Sequence, residues 1–127
     1  MKYSLLVGKT RLAIFQLSPD ASLPSFEGLS PFWSITKTEN EVSIVMKEKD
    51  LNPKLKAERG WRYLKVKGPL EFNLTGILVS IATPLANQKI SIFAISTFET
   101  DYVLIQEEDM DKAISVLRGE GFEVSKE

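Results

Sequence analysis

The chain has 127 residues and a net charge of −1, so no overall electrostatic pull toward nucleic acid is expected. It contains no cysteine and no histidine, which excludes disulfides, thiolate metal sites and cysteine nucleophiles and removes the commonest general base. No apolar run approaches the ~18 residues of a membrane span, and the patch 5–7 is too brief for a signal-peptide core; a cytoplasmic protein without a membrane partner is expected.

Residues 3–7 and 11–17 are β-rich and flank Gly8-Lys9-Thr10, which reads as a tight turn. The same triplet looks like the tail of a phosphate-binding loop. That motif needs a glycine five positions before Gly8, where this chain has Tyr3. No cofactor is therefore expected. Pro19, Pro24 and Pro31 leave room for at most a turn or two of helix around 26–29. Residues 32–38 and 42–47 pair as a hairpin across Glu39-Asn40. Residues 50–60 form a polar connector, in which Pro53 suits the first position of a short helix.

A strand over 61–67 ends at Gly68-Pro69. Lys54, Lys56, Arg59, Arg62, Lys65 and Lys67, with Trp61 and Tyr63 interleaved, have the makings of a nucleic-acid stripe. The balanced net charge favours a solvated connector followed by the polar face of a strand. Leu74, Ile77, Leu78, Ile81 and Leu85 recur at helical spacing and predict a helix over 74–87. Asn73 or Thr75 suits its N-cap, and Pro84 loosens its last turn. Residues 90–97 and 101–106 form a second hairpin.

Met110, Ala113, Ile114 and Leu117 mark a second helix over 109–118. Glu107, Glu108, Asp109 and Asp111 crowd its start, where the helix dipole favours negative charge. Their spacing is not that of a calcium loop, so no metal is expected. Gly119 or Gly121 ends this helix, and 122–124 is a short last strand. No general base stands out, so no catalysis is expected.

The two hairpins are copies. Ile35-Thr36-Lys37-Thr38-Glu39-Asn40-Glu41-Val42-Ser43-Ile44-Val45 recurs sixty positions later as Ile95-Ser96-Thr97-Phe98-Glu99-Thr100-Asp101-Tyr102-Val103-Leu104-Ile105. A unit of about 60 residues buries little surface alone, so two such units are expected to share a core or a sheet. Residues 61–124 read β-α-β-β-α-β, an α+β ferredoxin-like unit with both helices on one face of an antiparallel sheet. Its expected core includes Trp61, Leu64, Val66, Ile92, Ala94, Val103 and Ile105. The first half has the same order of strands but little room for helices. The expected division is 1–58 and 59–127.

Residues 90–104, Ile90-Ser91-Ile92-Phe93-Ala94-Ile95-Ser96-Thr97-Phe98-Glu99-Thr100-Asp101-Tyr102-Val103-Leu104, closely resemble the signature of ACT domains of the aspartokinase-like and CASTOR-type group. Gly68-Pro69-Leu70 and Leu74-Thr75-Gly76-Ile77-Leu78 match its upstream part. Residues 32–38 and 42–45 look like a degenerate first ACT unit. The resemblance implies a regulatory module that binds a ligand, most often an amino acid, between two ACT units. Carried over residue by residue, it implies ligand contacts at Thr75, Gly76 and Ile77, at Thr97, Phe98 and Asp101, and at Ser91 and Ile92 of a partner unit. Backbone N–H groups at the helix start suit a carboxylate, and Asp101 suits an ammonium. In the first unit Lys37, Thr38 and Glu41 replace Thr97, Phe98 and Asp101. An amino-acid ligand, a regulated partner protein and a homodimer paired through the strand edge near Ser91 are expected. The alternative is an interaction module that assembles without ligand.

Overall fold

The computed structural model describes residues 3–23, 25, 32–68 and 75–127. The expected helical turn at 26–29, Pro69 and the candidate cap Asn73 lie outside the described residues. The chain divides into two units: Thr10–Trp61, and Met1–Lys9 together with Arg62–Glu127.

The second unit contains β1 (Ser4–Val7), the end of β5 (Glu58–Val66), α1 (Ile77–Asn87), β6 (Ile92–Ser96), β7 (Asp101–Gln106), α2 (Glu107–Gly119) and β8 (Glu123–Lys126). From β5 onward this is the expected β-α-β-β-α-β order, and the fold is α+β and ferredoxin-like. Its strands lie in the order β6-β7-β5-β1-β8. The chain's first strand therefore sits between β5 and β8. Leu5 pairs antiparallel with Val66 on one side and parallel with Val124 on the other.

The expected division at 58/59 is corrected on this point. It left the first strand with the first half, because residues 3–7 are too short to reveal their partners. The boundary in the latter half moves to Trp61.

One core fills the space between the helices and the sheet. Ile77, Ile81 and Leu85 of α1 meet Met110, Ala113, Ile114 and Leu117 of α2 over Leu5, Val7, Leu64, Val66, Val103 and Ile105. Side chains two apart on a strand share a face. Val103 and Ile105 therefore put Asp101 on the helix side of β7. Ile92 packs against this core but Ala94, on the outer strand, is exposed. Trp61 is buried, though it belongs by contact to the other unit.

The first unit contains β2 (Leu12–Leu17), β3 (Ser34–Lys37), β4 (Val42–Lys47) and the beginning of β5, in the order β3-β4-β2-β5. Its core is Ala13, Phe15, Val42, Ile44, Met46 and Leu51. The short helix expected after Pro53 is a turn. The helical element lies earlier, a single 3-10 turn at Glu48–Asp50 directly after β4. Among the described residues no helix is long and apolar enough to cross a membrane.

The structural repeat has an offset of 59, not sixty. Thr38 and Thr97 close the two hairpins in the same way, with their amides donating to the carbonyls of Glu41 at 2.9 Å and Thr100 at 2.8 Å. Strands β4 and β7 start at 42 and 101, and the helical elements after them at 48 and 107. Matching Glu39 with Glu99 had shifted the alignment by one residue. Each unit also sets the glutamate after its hairpin against an arginine: Arg11–Glu48 at 3.6 Å and Arg62–Glu107 at 3.0 Å.

Candidate ligand site

Two elements of the second unit end at one place. Strand β5 stops at Val66, and the 97–100 turn reaches the same end, because the Thr100 hydroxyl donates to the Val66 carbonyl at 2.5 Å. Helix α1 ends at Asn87, five residues before the start of β6, and in a ferredoxin-like unit such a helix packs back along the strands. Its 11 residues span about 16 Å at ~1.5 Å per residue, about the length of β6 at ~3.3 Å per residue. The order of elements thus gathers the start of α1 and the tip of the β6–β7 hairpin at one end of the sheet, with Asp101 on the side facing the helices.

The start of α1 is held by Gly76, not by a side chain. Gly76 is the N-cap residue with φ 80°, and its carbonyl accepts the first helical bond from Ser80 at 2.9 Å. The left-handed conformation is what a glycine tolerates and other residues resist. This replaces the side-chain cap expected from Thr75, which is exposed. Ile77 turns its side chain into the core, so only its backbone faces the site. The first turn of α1 contains no acidic residue, whereas that of α2 contains Glu107, Glu108 and Asp109. The first N–H groups of any helix lack intrahelical partners and carry partial positive charge. At α2 acids answer that charge, and at α1 no first-turn acid does.

On the hairpin, the Ser96 hydroxyl donates to Asp101 Oδ1 at 2.6 Å, across a directly opposed pair. That bond fixes one carboxylate oxygen and leaves the second lone-pair set available. Thr97 Oγ1 donates to the Thr100 carbonyl at 3.1 Å and accepts the Thr100 amide at 3.2 Å, so its proton is spent within the turn. Phe98, at the tip, is 84% exposed.

Six of the eight sequence-chosen residues lie at this end: Thr75, Gly76, Ile77, Thr97, Phe98 and Asp101. Ser91 and Ile92 do not. Ile92 pairs with Ile105, four rungs from the Ser96–Asp101 pair, about 13 Å away at ~3.3 Å per residue. The sequence reading missed Ser96 and Thr100. Both are common turn residues, and only the pairing register shows what they hold. With the offset of 59, the first unit has Thr38, Glu39 and Val42 at the positions of Thr97, Phe98 and Asp101. Val42 is fully buried, so that unit has no carboxylate at this point.

Residues 56–119 match the family model for the ACT domain. The chain belongs to the ACT domain family. A curated relative, the cytosolic arginine sensor for mTORC1 subunit 1 of Bos taurus, is 31% identical over 107 residues, covering 76% of this chain and 32% of the relative. The chain thus spans about a third of that protein's length. A crystal structure of an Agrobacterium tumefaciens protein is 31% identical with a TM-score of 0.91, covering 100% of this chain and 95% of that one. An aspartate kinase of Clostridium acetobutylicum shares the fold at 16% identity, with a TM-score of 0.68 over 90% of this chain and 33% of that one.

Proposed function

We propose that this ACT protein is a cytoplasmic, non-catalytic sensor that binds a free α-amino acid at the α1 start and the 97–101 hairpin tip. Occupancy is passed to a regulated partner protein. The reading is supported by the acid-free start of α1 and the Ser96-held carboxylate of Asp101, two groups that the β-α-β-β-α-β order assigns to one end of the sheet. A carboxylate at the former and an ammonium at the latter are the two charges of an amino acid. Phe98 covers the ligand, and Glu99, exposed in the turn, meets its side chain. A relative named as an arginine sensor supports L-arginine as the first candidate.

Ser91 and Ile92 occur once per chain and lie at the far end of β6, so in this reading a second copy supplies them. Strand β6 pairs with β7 and is an outer strand of its unit, an edge of the kind that pairs with another chain.

The test is thermal unfolding against the twenty amino acids, followed by calorimetry. A ligand at 100 times its Kd adds about 2.7 kcal/mol of stability. L-Arginine is expected to raise the melting temperature, and Asp101→Asn to weaken binding tenfold or more. Absence of a shift with every amino acid refutes the sensor reading and leaves the second one, an interaction module assembled through the β6 edge.

A further inference from the structure

Thr100 is the one buried polar side chain among the described residues, only 4% exposed. Its backbone closes the hairpin turn with Thr97, while its hydroxyl leaves the turn to reach the Val66 carbonyl at 2.5 Å. The first unit shows what that hydroxyl is not for. There Glu41 occupies the matching position, and the turn closes through the same two bonds, one between backbones and one to the threonine hydroxyl: Thr38 amide to Glu41 carbonyl at 2.9 Å, and Glu41 amide to Thr38 Oγ1 at 3.2 Å. Glu41 has no hydroxyl, so the turn forms without one. What Thr100 adds is attachment of the tip to the last residue of β5.

We propose that Thr100 is a positioning residue for the ligand site. Its hydroxyl pins the tip to the end of β5, and so sets the placement of the adjoining Asp101 carboxylate relative to the start of α1. This rests on the sensor reading above. The bond lies entirely within the second unit, and the residue it holds adjoins the carboxylate assigned to the ammonium. A charge pair depends steeply on separation, so a tip that swings loses affinity without losing any group that touches the ligand.

Two measurements on the full chain test this. First, L-arginine affinity is measured by calorimetry for the wild type, Thr100→Val and Thr100→Ser. Thr100→Val, similar in size but without the hydroxyl, is expected to bind at least tenfold more weakly, and Thr100→Ser to recover to within about threefold of the wild type. A Thr100→Val protein that melts lower yet binds as the wild type does overturns the inference, since the hydroxyl then serves stability alone. Second, the chain has no cysteine, so spin labels at Lys67→Cys and Glu99→Cys, both exposed positions, report the separation of tip and strand end without ligand. Thr100→Val is expected to broaden that distance distribution and Thr100→Ser to keep it narrow. Identical distributions overturn the inference. If the wild type binds no L-arginine, the ligand assignment fails and the label measurement alone decides the positioning.

Discussion

Gly76 and Gly8 are held by different constraints, and their alanine variants separate them. Gly76 has φ 80° and no atom within 4 Å of where a Cβ would stand. Gly76→Ala is expected to cost about 1–2 kcal/mol through backbone strain alone. At Gly8 a Cβ would lie 2.7 Å from the Tyr63 ring, so Gly8→Ala forces the ring aside and is expected to lose about 1–3 kcal/mol by overpacking. Urea denaturation of both variants checks this. The same geometry disqualifies Gly76→Val as a test of pocket bulk, because a β-branched residue resists that φ before it meets any ligand. Tyr63 supplies a pH signature. Burial raises its phenol pKa above the ordinary 10.0, and Glu127 and Tyr102 add to the effect. The folded state thus holds this proton more tightly than the unfolded chain. That stability is complete below pH ~10 and is lost as pH rises through the folded pKa. Absorbance titration is expected to show a phenol ionising above the ordinary range, and Tyr63→Phe to remove that step. Asp101 and Gly76 were legible as candidate site residues because the family signature marks them. Ser96 and Thr100 were not, since a hydroxyl in a turn looks alike whether or not it reaches a neighbouring strand.

The helix ends show how element boundaries are set. Both helices finish with the same pair of bonds. In α2, Phe122 N–H donates to Leu117 O at 3.1 Å and Gly121 N–H to Arg118 O at 3.0 Å; in α1, Ile90 N–H donates to Leu85 O at 3.0 Å and Lys89 N–H to Ala86 O at 2.9 Å. This stop needs a left-handed residue just past the end, and glycine fills it at position 121 with φ 97°. At α1 the residue is Lys89, with φ 58°. Lys89→Gly relieves that strain and is expected to stabilise the protein by about 1 kcal/mol, read as a higher denaturation midpoint at unchanged slope. In the core, Ile81→Ala is expected to cost about 2–5 kcal/mol, since Ile81 is fully buried between the helices and the sheet. Helices α1 and α2 were legible from periodicity to within three residues at each end. The end of α1 at Asn87 falls where the spacing put it, but its capping by Lys89 was not legible, because a lysine in the left-handed region leaves no mark in the sequence. Pro53 misled for a related reason. It permits a helix start without requiring one, and the polar residues after it bury no apolar stripe.

At the scale of the whole molecule, the sequence revealed the duplication but not the exchange of a strand between its halves. Periodicity reports which face of a strand is buried; it does not report the neighbour. A fragment of residues 59–127 tests the consequence. It keeps every element of the ferredoxin-like unit except β1, and so leaves a gap where Leu5 and Val7 stood between β5 and β8. The fragment is expected to lack cooperative unfolding by circular dichroism, and to regain it when a peptide of residues 1–9 is added. A fragment that unfolds cooperatively by itself shows that the inserted strand is dispensable. The same arrangement governs the order of events during synthesis. Ser4 and Glu123 are register partners, so the first strand leaves the ribosome more than a hundred residues before its parallel neighbour exists. Closing so long a loop is entropically slow. The ACT unit therefore closes only after β8 has emerged, and a nascent chain stalled before residue 123 waits with β1 lacking its parallel neighbour.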